Sequence, residues 1–194
     1  MKKVFLLLVF LLCALQISAK ESVQAAVLHN DGYTLYKEFH PNDNNYKNTI
    51  RDMEVLATKH KSKVFSQSAA LIKTIRSKCK YYYDTNTKLI ELLKQKWNKP
   101  HYMNMDEEWK TTTFAKDRKK VTDLHMLSLG MQQAFNDWNE ARNQAVKMTK
   151  NEEIIKAVNE ANERLKATID SVLAEEKPAF DAISKELEVI KLKK

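Results

Sequence analysis

The scarcity of glycine constrains this chain more than any other feature: two occur in 194 residues, where average usage would place about fourteen. Tight hairpin turns, strand bulges and phosphate-cradling loops all draw on residues tolerant of positive φ. Sheet folds and nucleotide-binding loops are therefore excluded, and helix is what remains. Pro41, Pro100 and Pro178 act as punctuation, leaving long stretches almost free of helix breakers.

The apolar spacing agrees. From Asn44 to Lys99 there is no Gly or Pro, and Tyr46, Ile50, Met53, Ala57, Val64, Leu71, Ile75, Cys79, Tyr82, Leu89, Leu93 and Trp97 recur at gaps that are nearly all sums of three and four. The spacing predicts either one helix of some fifty residues, about 75 Å long, or two that break at Asp84-Thr85-Asn86-Thr87, whose short side-chain acceptors favour N-caps. A second stripe runs from about Asp117 to Met148, with Thr111 to Thr113 fraying the region before it. Thr149-Lys150-Asn151-Glu152 has the capping-box spacing and marks a new helix start. Its stripe, Ile155, Val158, Leu165, Ile169 and Val172, continues past Pro178 as Ile183, Leu187 and Ile190, with a kink or break near Lys177. Ahead of these, Asn30-Asp31-Gly32 reads as a turn and His40 to Asn45 as the clearest loop.

Stripes this narrow cannot bury themselves. The expected fold class is all-α: an antiparallel bundle of four to six long amphipathic helices, with long coiled-coil-like hairpins as the other arrangement open to them. A helix that long needs partners along its length, which a second copy of the chain could supply, so a tendency to form a homodimer through helix packing is expected.

Met1 to Ala19 carries Lys2 and Lys3, the apolar run Val4 to Leu15 and a small residue at its end, the layout of a signal peptide. Its twelve apolar residues reach only about 18 Å, against a hydrocarbon core of about 30 Å. The expectation is a leader at 1–19 and a single secreted helical domain at 20–194. No later stretch reaches eighteen uninterrupted apolar residues, so no transmembrane segment is expected. Cys13 lies in the leader, so the mature chain keeps Cys79 alone; it is either buried as a small apolar residue or paired between chains.

Catalytic and metal signatures do not appear. The five histidines include no i, i+4 pair, HExxH and CxxC are absent, and the nucleophile elbow, P-loop and Rossmann fingerprint need glycines this chain lacks. No enzyme activity, metal or cofactor is expected. His60, on the apolar stripe, reads as a packed polar residue. Of Tyr81-Tyr82-Tyr83, helical geometry puts only Tyr82 on that stripe, with the other two rings flanking it.

Charge carries the functional signal. The chain has a formal net charge of +8. Residues 46–99 hold thirteen Lys/Arg against four Asp/Glu, residues 100–194 hold sixteen against seventeen, and no acidic residue lies between Glu54 and Asp84. On a helical wheel Lys59, Lys63, Lys73, Arg76 and Lys80 fall within about 140° of arc opposite the apolar stripe, a basic ridge about 30 Å long. One reading is a face that serves solubility, or a ridge neutralised by the acidic C-terminal helices packed beside it. The other is a docking strip for a polyanion, whether a sulfated polysaccharide, an acidic protein, an anionic lipid surface or nucleic acid, with the first two the expected partners in the extracellular space. No DNA-binding motif accompanies the charge, so sequence-specific nucleic-acid readout is not expected.

The Leu-rich leader (Val4-Phe5-Leu6-Leu7-Leu8-Val9-Phe10-Leu11-Leu12), the Lys- and Asn-rich body, the helical stripes and the few cysteines together resemble the small secreted salivary proteins of mosquitoes and other blood-feeding insects. That resemblance implies a non-enzymatic protein acting on host haemostatic, inflammatory or immune components, and it assigns no functional residue. The glycine-poor amphipathic helices also resemble insect apolipophorin-like bundles. This second likeness implies reversible lipid binding, with Met53, Met131 and Met148 as adaptable side chains on the apolar stripes.

Overall fold

The computed structural model describes residues 21–192, and the expected leader at 1–19 lies outside them. The described residues form six helices: α1 Val23–His60, α2 Lys63–Trp97, the short α3 Pro100–Met103, α4 Glu107–Ala145, α5 Asn151–Ala182 and α6 Ser184–Leu192. No strand occurs among the described residues. The all-α bundle follows from the period of the apolar residues.

Two long antiparallel hairpins, α1–α2 and α4–α5, pack together, and α2 touches each of the other five helices. Its buried face explains that position: Ile72, Ile75, Cys79, Tyr82, Leu89, Leu93 and Trp97 are all at most 2% exposed. Specific polar contacts fix how the hairpins meet. Asn162 on α5 accepts from Trp138 Nε1 of α4 at 2.8 Å and from Ser68 Oγ of α2 at 2.9 Å, and its Nδ2 donates to Val64 O at 3.0 Å. At the opposite end, buried Asp117 accepts from Trp97 Nε1 at 3.1 Å and pairs with Lys96 at 2.6 Å. Lys120 joins that carboxylate to Glu186 of α6 at 2.6 Å. A buried carboxylate without such donors would cost several kcal/mol, so the arrangement selects one register for the α2, α4 and α6 ends.

Several helix boundaries differ from the sequence expectation. His40 to Asn45 is not a loop, and Asn30-Asp31-Gly32 is not a turn; both lie inside α1. Leu35, Tyr46, Ile50 and Met53 are buried in phase across Pro41, so packing holds one helix axis through it. Pro41 itself is exposed, and the neighbouring polar side chains bond locally, Asn42 Nδ2 donating to Glu38 O at 2.8 Å.

Neither arrangement expected for 44–99 occurs, because no single helix spans it and no break falls at 84–87. Thr85 and Asn86 are buried within α2, and Asn86 Nδ2 donates to Val121 O at 2.9 Å. The chain breaks instead at Lys61-Ser62: Lys61 adopts the left-handed conformation at φ 49°, and Ser62 Oγ caps α2 by accepting from Val64 N at 3.3 Å. A lysine in that conformation is an uncommon helix stop.

Asp106 caps α4 through Trp109 N at 2.8 Å, and Thr111 to Thr113 lie in its helical body rather than fraying. α5 starts at Asn151 as the spacing predicts, although its cap residue is Lys150 and no side chain closes the capping box. It runs through Pro178 and ends at Ala182, five residues beyond the expected break near Lys177.

Cys79 is 1% exposed, with Tyr46 Oη 3.8 Å from its sulfur and Ser128 O at 3.9 Å. Burial pushes the thiol up to about 11, against the pull of those two hydrogen bonds. Of the two sequence readings, burial describes the folded chain, and disulfide pairing between folded copies would require this thiol to come out of the core.

Candidate functional site: the cationic face of the α1–α2 hairpin

The break at Lys61-Ser62 reorganises the basic ridge. Lys59 lies in the last turn of α1, whereas Lys63, Lys73, Arg76 and Lys80 belong to α2, so the five no longer share one helical wheel. On α2, residues 73, 76, 80 and 83 follow i, i+3, i+4 spacing; Lys73, Arg76 and Tyr83 meet α1 at a seam, and Lys80 shares their side of the helix.

Most of that seam is neutralised within the hairpin. Lys73 pairs with Glu54 at 2.7 Å, Arg76 with Asp43 at 2.7 Å, and Lys80 with Asp84 at 2.7 Å. Asp43 also receives Lys47 at 2.6 Å. Burial alone would raise the Asp43 carboxyl, but the hydrogen bonds from Lys47 and Arg76 hold it below the ordinary carboxylate value. These acids come mainly from α1. The C-terminal helices contribute one partner to the region, Glu176, which takes Lys78 at 2.7 Å and accepts from Tyr82 Oη at 3.3 Å.

The tyrosine triplet is absorbed into packing as its spacing predicts. Tyr82 is core, Tyr81 stacks on Phe180 at 5.3 Å, and Tyr83 stacks on Phe39 at 4.3 Å. His60 is half-buried beside Phe65, with ring centroids 5.5 Å apart. Met53 and Met131 are fully buried, while Met148 is 42% exposed.

Lys59 and Lys63 differ from the three paired cations. Both are exposed at the α1–α2 corner with Lys61 between them, and among the described residues none of the three has a carboxylate within ion-pair distance. Lys61 escapes the wheel analysis because on an unbroken helix it falls outside the ridge; only the break brings it to the apex. The corner is also the N-terminus of α2, whose first turn carries no acidic residue. α4 and α5, by contrast, each begin with two glutamates. A cation at the positive end of a helix dipole is unfavourable by about 0.3–1 kcal/mol, so Lys63 works against local stability and adds to the positive potential there.

What the corner can do chemically is attract anions: three exposed lysines lie within five residues at a helix N-terminus that is capped by Ser62 but carries no acidic side chain in its first turn. Among the described residues no group of three or more His, Cys, Asp or Glu side chains is placed to hold a metal ion. No helix among them is long and apolar enough to cross a membrane. Comparison of the chain with protein-family models, with curated proteins and with solved structures found no match.

Proposed function

We propose that this chain is an exported, non-enzymatic interaction protein that docks on an extracellular polyanion through the corner formed by Lys59, Lys61 and Lys63. The partner in this reading is a sulfated polysaccharide or the acidic surface of a protein. The likeness to secreted salivary proteins favours a host component. The observation that carries the proposal is the contrast along the hairpin: Lys73, Arg76 and Lys80 are committed to Glu54, Asp43 and Asp84, whereas the three corner lysines face solvent without carboxylate partners.

Heparin chromatography tests it. At an ionic strength of about 0.15 M, exposed charges more than about 8 Å apart are largely screened, so retention above that salt requires clustered cations. The protein is expected to be retained, and Lys59→Glu, Lys61→Glu, Lys63→Glu to flow through. Wild-type protein in the flow-through, or a corner variant with unchanged elution, overturns the reading.

A further inference from the structure

The two hairpin connections lie at the same end of the bundle. α1 and α4 run in the same direction, and three contacts set their register: Asp31 with Arg118, Glu38 with His125, and Tyr46 with Phe135, each joining residues 87 to 89 positions apart. Carried forward, that register brings His60 level with residues 147–149. The α1–α2 turn and the α4–α5 loop therefore face the same end of the bundle. The contacts of Val64, Ser68, Lys78 and Tyr82 with Asn162 and Glu176, 94 to 98 positions apart, set Lys63 level with residues 157–161 of α5, so the α4–α5 loop reaches further out than the α1–α2 turn.

The composition of this end is unusual for the chain. Residues 55–63 and 141–150 contain no carboxylate, Glu152 and Glu153 follow in the exposed first turn of α5, and Lys59, Lys61, Lys63, Lys147 and Lys150 are all exposed. Among these only Lys150 has an acidic partner, Glu153 at 3.2 Å across the start of α5. In the same loop Val146 and Met148 alternate with Lys147 and remain 44% and 42% exposed. Such apolar side chains at the tip of a basic loop gain nothing from a sulfated chain. A bilayer with anionic headgroups accommodates both, lysines at the headgroup level and apolar side chains at the acyl boundary.

We infer that this end of the bundle is a peripheral docking surface for anionic phospholipid membranes. Val146 and Met148 enter the interface, and the lysines of both connections pair with headgroup phosphates and carboxylates. The inference rests on the anion-docking reading for Lys59, Lys61 and Lys63, and goes beyond it in the α4–α5 loop.

Co-sedimentation with vesicles tests it, run beside heparin chromatography on the same proteins. Vesicles of phosphatidylcholine containing about one-third phosphatidylserine are expected to bind the protein, and phosphatidylcholine alone to leave it in solution. Lys59→Ser, Lys61→Ser, Lys63→Ser lowers partitioning on the order of a hundredfold. Val146→Ser, Met148→Ser lowers it about tenfold while leaving heparin elution unchanged, since both positions are exposed and outside the core. Vesicle binding that ignores the Val146/Met148 pair overturns the lipid inference, as does an equal loss of heparin retention in that variant. Heparin retention without any vesicle binding refutes the lipid surface and leaves the polyanion reading standing; loss of both refutes both.

Discussion

The two glycines offer a paired test of the fold, because the structure assigns their alanine variants opposite signs. Gly32 lies inside α1 without positive φ, and a Cβ added there would meet Ile90 Cγ2 at 3.7 Å and Cδ1 at 3.8 Å, ordinary contact distances. Gly32→Ala should therefore collect the helix-propensity difference of about 1 kcal/mol, raising the thermal midpoint by about 2–4 °C for a chain of this size. Gly130 stands where α4 crosses α5, and a Cβ there would lie 2.9 Å from Val172 Cγ2. Valine is stiff at χ1 in a helix, so the helices must separate, at an overpacking cost of about 1–3 kcal/mol that outweighs the propensity gain. Gly130→Ala should lower the midpoint, and in a Val172→Ala background the same substitution should turn stabilising. Calorimetric scans of the four variants read these signs directly. A fall on Gly32→Ala would mean that residues 30–32 form a glycine-dependent turn and that α1 is not one helix, while a rise on Gly130→Ala in the wild-type background would refute the close α4–α5 crossing.

Removing the Asn162 amide leaves the buried Trp138 N–H without an acceptor, so Asn162→Ala is expected to cost about 2–3 kcal/mol, read as a lower urea midpoint with unchanged slope. The Asp43 carboxyl, held below its ordinary value by Lys47 and Arg76 against the effect of burial, contributes stability that is complete above the unfolded value of about 3.9 and is lost as pH falls through the lower folded value. The wild type should weaken below about pH 4, and Asp43→Asn should flatten that acid limb of the stability profile. Cys79, with its thiol pushed up to about 11 by burial, is expected to resist a thiol reagent at neutral pH in the folded chain and to react fully in denaturant; rapid labelling of native protein would contradict its place in the core.

The parts of this structure that were legible in the sequence are those written in periodicity. The long apolar stripes, the scarcity of glycine and the 100° step along a helix give the bundle, the buried Tyr82 and the flanking Tyr81 and Tyr83. The helix boundaries were less legible because local signals compete with packing. Pro41 and its Asn-rich surroundings look like a loop, yet Leu35, Tyr46 and Ile50 bury on one side and carry the helix through. The actual stop at Lys61 has no glycine to announce it.

That single break also decides where the unpaired cations gather. A continuous wheel joins Lys59 to Lys80 and leaves out Lys61, whereas the folded hairpin separates the paired seam from the unpaired corner. The neutralising acids, Glu54 for Lys73 and Asp43 for Arg76, lie 19 and 33 residues away in sequence. They become neighbours only when α1 folds back on α2, so no pattern within α2 could reveal them.

The central claim is that docking charge resides in the corner rather than along the ridge, and it is tested most directly by two variants of equal formal charge on one heparin column. Lys59→Gln, Lys61→Gln, Lys63→Gln removes the unpaired cations; Lys73→Gln, Arg76→Gln, Lys80→Gln removes cations already facing carboxylates. Salt at elution is the measured quantity, with folding of both variants confirmed by circular dichroism. The corner variant is predicted to elute at clearly lower salt than the ridge variant, which should stay near wild type. Equal shifts in the two would show that retention follows net charge alone, and a larger shift in the ridge variant would place the docking site on the seam and contradict the account.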